Sequence, residues 1–142
     1  MEEYNSQMKQ LLIEIFKQIP CNSILAIDMQ TTDFENSDSY GIIEKYRIQD
    51  DFTADCCFPD YYFLITEENR ERFIEAIKQY LDSYLCHYKI YRKSNQQNEI
   101  WVSVFDSCSF SVVSEIKITD ELRAKCSLEG IYIDIIDRGS LI

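Results

Sequence analysis

Glycine and proline are scarce, three and two in 142 residues, and the chain has one histidine and one tryptophan. So little punctuation excludes a linker or a low-complexity tail, and with 46% hydrophobic residues the composition is that of an ordered single domain spanning 1–142. The few glycines form no phosphate-cradling loop. No run approaches the eighteen or more apolar residues of a membrane span. The start, MEEYNSQMKQ, carries acid where a secretory signal carries positive charge, so a cytoplasmic protein without membrane contact is expected.

Metal and redox motifs are also missing. The six cysteines (Cys21, Cys56, Cys57, Cys86, Cys108 and Cys126) contain no C-x-x-C pair. Cys86 and His87 are neighbours that point to opposite faces of a strand and cannot easily share an ion. The cysteines, including the adjacent pair in DDFTADCCFPDYYFL, are therefore read as reduced, unbridged packing residues, with no metal and no cofactor. A cysteine nucleophile would need His87 as its base, and His87 lies on an alternating strand with Lys89 and Tyr91, where a structural role is the ordinary one. No carboxylate pair stands out, and the chain is read as a non-enzyme.

What the sequence has in excess is acid, with a net charge of −11. Residues 28 to 60 hold nine carboxylates against Lys45 and Arg47, a balance of −7; residues 61 to 98 carry +1 and residues 99 to 142 carry −4. A field of this sign repels nucleic acid and anionic lipid and steers a basic protein inward.

Hydrophobic spacing places a helix over residues 3–19, ended by Pro20, then a strand in SILAIDM and a polar loop in TTDFENSDS. Alternation in YGIIEKYRI predicts a second strand and DYYFLI a third. Thr66 is read as the cap of a second long helix that lines up Phe73, Ile74, Ile77, Leu81 and Tyr84. YLCHYKIYRK and EIWVSVFDS form a hairpin, SFSVVSEIKI follows, TDELRAKCSLEG is a short helix stopped by Gly130, and IYIDIID closes the sheet. The expected fold is α+β, a mostly antiparallel sheet with two long helices and one short one, in the order αβββαβββαβ. Trp101 is placed in the core, on a central strand, on the same face as Ser103 and Phe105.

Two further patterns yield to plainer readings. DFENSDSYGIIE places Asp33, Glu35, Ser37 and Glu44 at calcium-loop positions, but Asp38 stands where the turn glycine is required, so a solvated acidic loop is expected. Tyr80, Tyr84, Tyr88 and Tyr91 among Lys78, Lys89, Arg92 and Lys93 fit half-buried packing better than a nucleic-acid surface. The function expected is that of a small acidic binding protein that neutralises a basic partner, as an immunity protein blocks a nuclease-type toxin. Its contact residues would be Asp33, Glu35, Asp38, Asp50, Asp51, Asp55 and Asp60. The alternative is an acidic secretion-type chaperone that holds an unfolded segment of its partner.

Overall fold

The computed structural model describes residues 2–28, 33–53, 58–95 and 97–137. They form an α+β fold with four α-helices and one mixed seven-stranded sheet in the order β2-β3-β1-β4-β5-β6-β7. The strands are β1 (Ser23–Asp28), β2 (Arg47–Ile48), β3 (Tyr61–Ile65), β4 (His87–Ser94), β5 (Gln97–Phe105), β6 (Ser109–Val113) and β7 (Tyr132–Ile136). Neighbouring strands run antiparallel except β6 and β7, which are parallel. A parallel pair needs a crossover, here supplied by helix α4 (Asp120–Leu128). Among the described residues no helix is long and apolar enough to cross a membrane.

Helix α1 (Glu2–Gln18) buries Met8, Leu11, Leu12, Ile15 and Phe16, the stripe expected from three-and-four spacing. At its C-terminal end Arg70 donates to Phe16 O and, just past the helix, to Ile19 O, both at 2.7 Å. Helix α4 starts as its sequence implies: the Thr119 hydroxyl accepts from Leu122 N at 3.1 Å. It stops before Gly130, whose φ of 79° suits glycine.

Two expected elements differ. The strand predicted over 40–48 is mostly helical: α2 spans Asp38–Ile43, a 3-10 turn follows at Glu44–Tyr46, and only Arg47–Ile48 pairs with β3. The segment carries two periods at once. Ile42, Glu44, Tyr46 and Ile48 alternate, but Tyr40 and Ile43 are also three apart, and both are buried with Phe34 in the main core. The Ser37 side chain caps this turn by accepting from Tyr40 N. Ser39, fully buried, then ties it to the next helix through Ala76 O at 3.1 Å and Gln79 O at 2.5 Å.

The second long helix is also shorter than expected. Thr66 and Asn69 bond reciprocally through side chain and backbone, closing a turn ahead of α3 (Arg70–Lys78). Tyr80 then turns left-handed at φ 79°, and Leu81–Tyr84 continue as a 3-10 turn. The sequence order is therefore α1-β1-α2-β2-β3-α3-β4-β5-β6-α4-β7.

The sheet has two unlike faces. One carries the main core against the helices, built on Leu25, Ile27, Phe63, Ile65, Tyr88, Ile90, Val102 and Phe110. The other holds a smaller cluster of Ile24, Ala26, Phe52, Tyr62, Tyr91 and Ile100 beneath residues 49–53. A bulge divides them on β5: Tyr91 opposes Ile100 and Ile90 opposes Val102, so Trp101 is the extra residue. Trp101 is core as expected, at 7% exposure on the fifth of the seven strands, but the bulge turns it into the main core beside Val102, away from the face of Ser103 and Phe105.

Candidate functional site: an acidic sheet edge and an open sheet face

At the β2–β3 end of the sheet Phe34 packs edge-on against Tyr40, Tyr61 and Phe63, with ring centroids 5.0 to 6.3 Å apart. This aromatic knot anchors the first acidic group. Asp33 precedes the 3-10 turn Phe34–Asn36, Glu35 lies in that turn and Asp38 opens α2; all three are exposed. Glu35 meets Arg47 at 3.4 Å, and the Arg47 guanidinium lies 4.4 Å from the Tyr61 ring centre and 3.2 Å from the Tyr40 hydroxyl. Burial, followed by the nearby charge of Glu35, raises the Tyr61 phenol above its ordinary range.

The second acidic group lies across the sheet edge. Asp60 is exposed, and its N–H donates to Ile27 O at 2.8 Å. Asp50 and Asp60 line an open recess of about 380 Å³ with Arg47, Ile48, Gln49 and Tyr62. Asp51 is exposed. Asp55 lies outside the described residues, as do Cys56 and Cys57. The structure thus pairs Glu35 with Arg47 and sets Asp50 and Asp60 in a recess that Arg47 also lines, while Asp33 lies on the segment that leads into α2 and Asp38 opens that helix.

Asp50 differs from its neighbours. Its side chain is only 6% exposed; it accepts from Lys93 Nζ at 2.7 Å, from the Tyr91 hydroxyl and from Asp51 N at 2.8 Å. Burial alone would raise its pKa, but these bonds outweigh burial and hold the carboxyl below its usual value. On the other side of the contact, burial and then Asp50 push the Tyr91 phenol far above its ordinary range. Phe52 stacks on Tyr91 at 4.1 Å, and the Tyr62 hydroxyl donates to Phe52 O at 2.7 Å. Asp50 thus fastens the strap 49–53 to the sheet.

On this same sheet face, strands β4 to β7 carry a row over which no helix lies among the described residues. His87 lies against Phe105 with ring centres 4.8 Å apart, Phe105 pairs with Ser109 and Ser109 with Tyr132; one step along, Ser103 pairs with Ser111 and Ser111 with Asp134. Phe105 is 61% and Tyr132 60% exposed. Asp28 extends the row on β1, opposite His87. The sequence reading passed over this row, although serines at alternate positions in SFSVVS mark a face that excludes packing partners.

His87 Nδ1 accepts from Asp106 N at 3.1 Å, which fits a structural histidine. Of the four described cysteines, Cys126 is buried, Cys86 and Cys108 are half-buried, and Cys21 is exposed with its thiol donating to Glu67 at 2.9 Å. Burial pushes the Cys86 and Cys126 thiols up, away from the reactive thiolate form. Among the described residues no group of three or more His, Cys, Asp or Glu could hold a metal ion. Tyr88 and Tyr91 are buried and Tyr84 is half-buried, whereas Tyr80 is exposed beneath Lys9, whose Nζ is 4.0 Å from the ring centre. Comparison with known proteins finds no matching family model, no matching curated protein and no matching solved structure.

Proposed function

We propose that this chain is a binding protein that captures and neutralises a basic protein partner, in the manner of an immunity protein, with no catalytic step of its own. The observation that carries the reading is the placement of the exposed carboxylates Asp33, Glu35, Asp38, Asp51 and Asp60 on segments around one end of the sheet, on a chain of net charge −11. Charges on rigid, packed segments set up a steady field, which speeds association with an oppositely charged surface. Asp50 supports this role from within by fixing the strap.

Holding an unfolded segment at a sheet edge is the weaker reading. The outer strand β7 is partly blocked, because Arg123 donates to Ile133 O at 2.8 Å. The test is capture from native lysate followed by kinetics with the recovered protein. A basic partner whose on-rate falls steeply as salt rises supports the reading; a partner that is not basic, or binding indifferent to salt, overturns it.

A further inference from the structure

We propose that Phe105, Ser109 and Tyr132 form a slot that receives an arginine side chain of the basic partner. The inference rests on the reading of the chain as a binder of a basic protein and adds where one cation enters.

The slot follows from register. Phe105, Ser109 and Tyr132 stand side by side on β5, β6 and β7, so two aromatic side chains flank one small hydroxyl. Two strand spacings separate the flanking backbones by roughly 10 Å, and a cation is attracted to a ring within about 6 Å of its centre, so one planar group fits between the two rings. Guanidinium suits this space better than ammonium because it is flat, stacks on rings and is weakly hydrated. The chain already makes such a contact internally, between Arg47 and Tyr61.

Charge complementarity selects the same occupant. Asp106 follows Phe105 directly, Asp134 lies one step along the face from Tyr132, and Asp28 continues the row beyond His87; Asp106 and Asp134 are exposed. Of the cations on this face, Lys89 is 6% exposed and donates to Ser103 at 2.6 Å and Lys93 is taken up by Asp50, which leaves the carboxylates to set the sign at the slot.

The wall formed by Phe105 is held in place before any ligand arrives. The turn after it runs through two left-handed residues, neither of them glycine: Asp106 at φ 54° and Ser107 at φ 57°. Cys108 N donates to Asp106 O at 2.7 Å within this turn, and three bonds hold it to its neighbours. Ser107 N donates to Cys86 O at 2.7 Å, Asp106 N to His87 Nδ1 at 3.1 Å, and Tyr132 N to Cys108 O at 2.8 Å. The last of these ties the Tyr132 backbone to the end of the turn, three residues beyond Phe105. A site already in its bound shape loses little entropy on binding.

The test titrates the full chain with a glycine–arginine repeat peptide and with its glycine–lysine counterpart of equal charge, following backbone amides by NMR at low salt. The arginine peptide is expected to bind roughly threefold or more tightly than the lysine peptide, with the largest shifts at Phe105, Ser109, Ser111 and Tyr132. Phe105→Ala and Tyr132→Ala should each remove that preference, and Tyr132→Phe should keep it. Ser109→Leu, on an exposed position, should block the slot with the fold intact by circular dichroism. Equal binding of the two peptides, unaltered by these changes and mapping to residues 33–60, overturns the slot and leaves the acidic-binding reading standing. No binding of either peptide overturns both.

Discussion

The Tyr91 hydroxyl donates to the Asp50 carboxylate across the gap between the sheet and the strap that crosses it, with Lys93 on the second carboxylate oxygen. Each of these residues belongs to a different logic in the sequence. Tyr91 and Lys93 are part of an alternating strand, while Asp50 stands among acids that look solvated. The contact makes one carboxylate structural and leaves its neighbours for the surface.

The first prediction follows from that contact. Asp50→Ala strands the Tyr91 hydroxyl and removes a charged bond, a loss of roughly 2–3 kcal/mol. The ionised form is the one held, and its pKa is lowered by folding. Its contribution is therefore complete above the ordinary carboxylate range and is lost as pH falls through the depressed folded value. Denaturant melts of wild type and Asp50→Asn across acid pH check this: the variant should be less stable at neutral pH and lose stability with a shallower slope on acidification. Parallel curves would show that Asp50 is not held in its charged form.

The second prediction concerns a buried hydroxyl. Tyr88 is 1% exposed, and its OH has no hydrogen-bond partner among the described residues. An unpaired buried hydroxyl costs free energy, so Tyr88→Phe should leave stability unchanged or raise it by about 1 kcal/mol. A thermal melt decides the sign; a clear loss of stability would mean the hydroxyl has a partner in solution.

The third prediction concerns the single tryptophan. Trp101 packs at the bulge with its indole N–H donating to Glu99 at 2.7 Å, and Glu99 also holds Arg92 at 3.1 Å. Trp101→Ala should cost roughly 3–5 kcal/mol through the cavity it leaves. Urea melts followed by circular dichroism measure the loss, and a cost under about 1 kcal/mol would mean the bulge side is open to solvent.

How far these features were legible depends on range. Helix α1, the β4–β5 hairpin and α4 follow from local spacing and caps, because Leu11, Ile15, Thr119 and Gly130 act within a turn or two of their own position. Residues 38–48 carried helical and alternating periods together, and the choice fell to Ser39, whose partners Ala76 and Gln79 are distant in sequence. The bulge at Trp101 left no local signal, since both neighbours are apolar. The exposed acids were readable as a charge density, but the separation of Asp50 from Asp51 required Tyr91 and Lys93, more than forty residues away. The aromatic slot was hidden for the same reason: Phe105 and Tyr132 come to flank Ser109 only through the order of strands.

The last prediction separates the surface carboxylates from the structural one. Asp38 and Asp51 are both exposed, one at the head of α2 and the other within the strap 49–53. Neither fastens the core as Asp50 does, and reducing charge on a chain of −11 relieves self-repulsion. Helix α2 loses a small dipole contribution when Asp38 is neutralised, on the order of 0.5 kcal/mol. Asp38→Asn with Asp51→Asn should therefore change the melting temperature little in either direction. If these carboxylates steer the basic partner, the double variant should associate more slowly at low salt and converge with wild type at high salt, while the off-rate stays the same. Stopped-flow association at several salt concentrations reads both rates. An on-rate equal to wild type at low salt would assign these acids to solubility and move the interface elsewhere on the chain, with the Phe105–Tyr132 face as the next surface to examine.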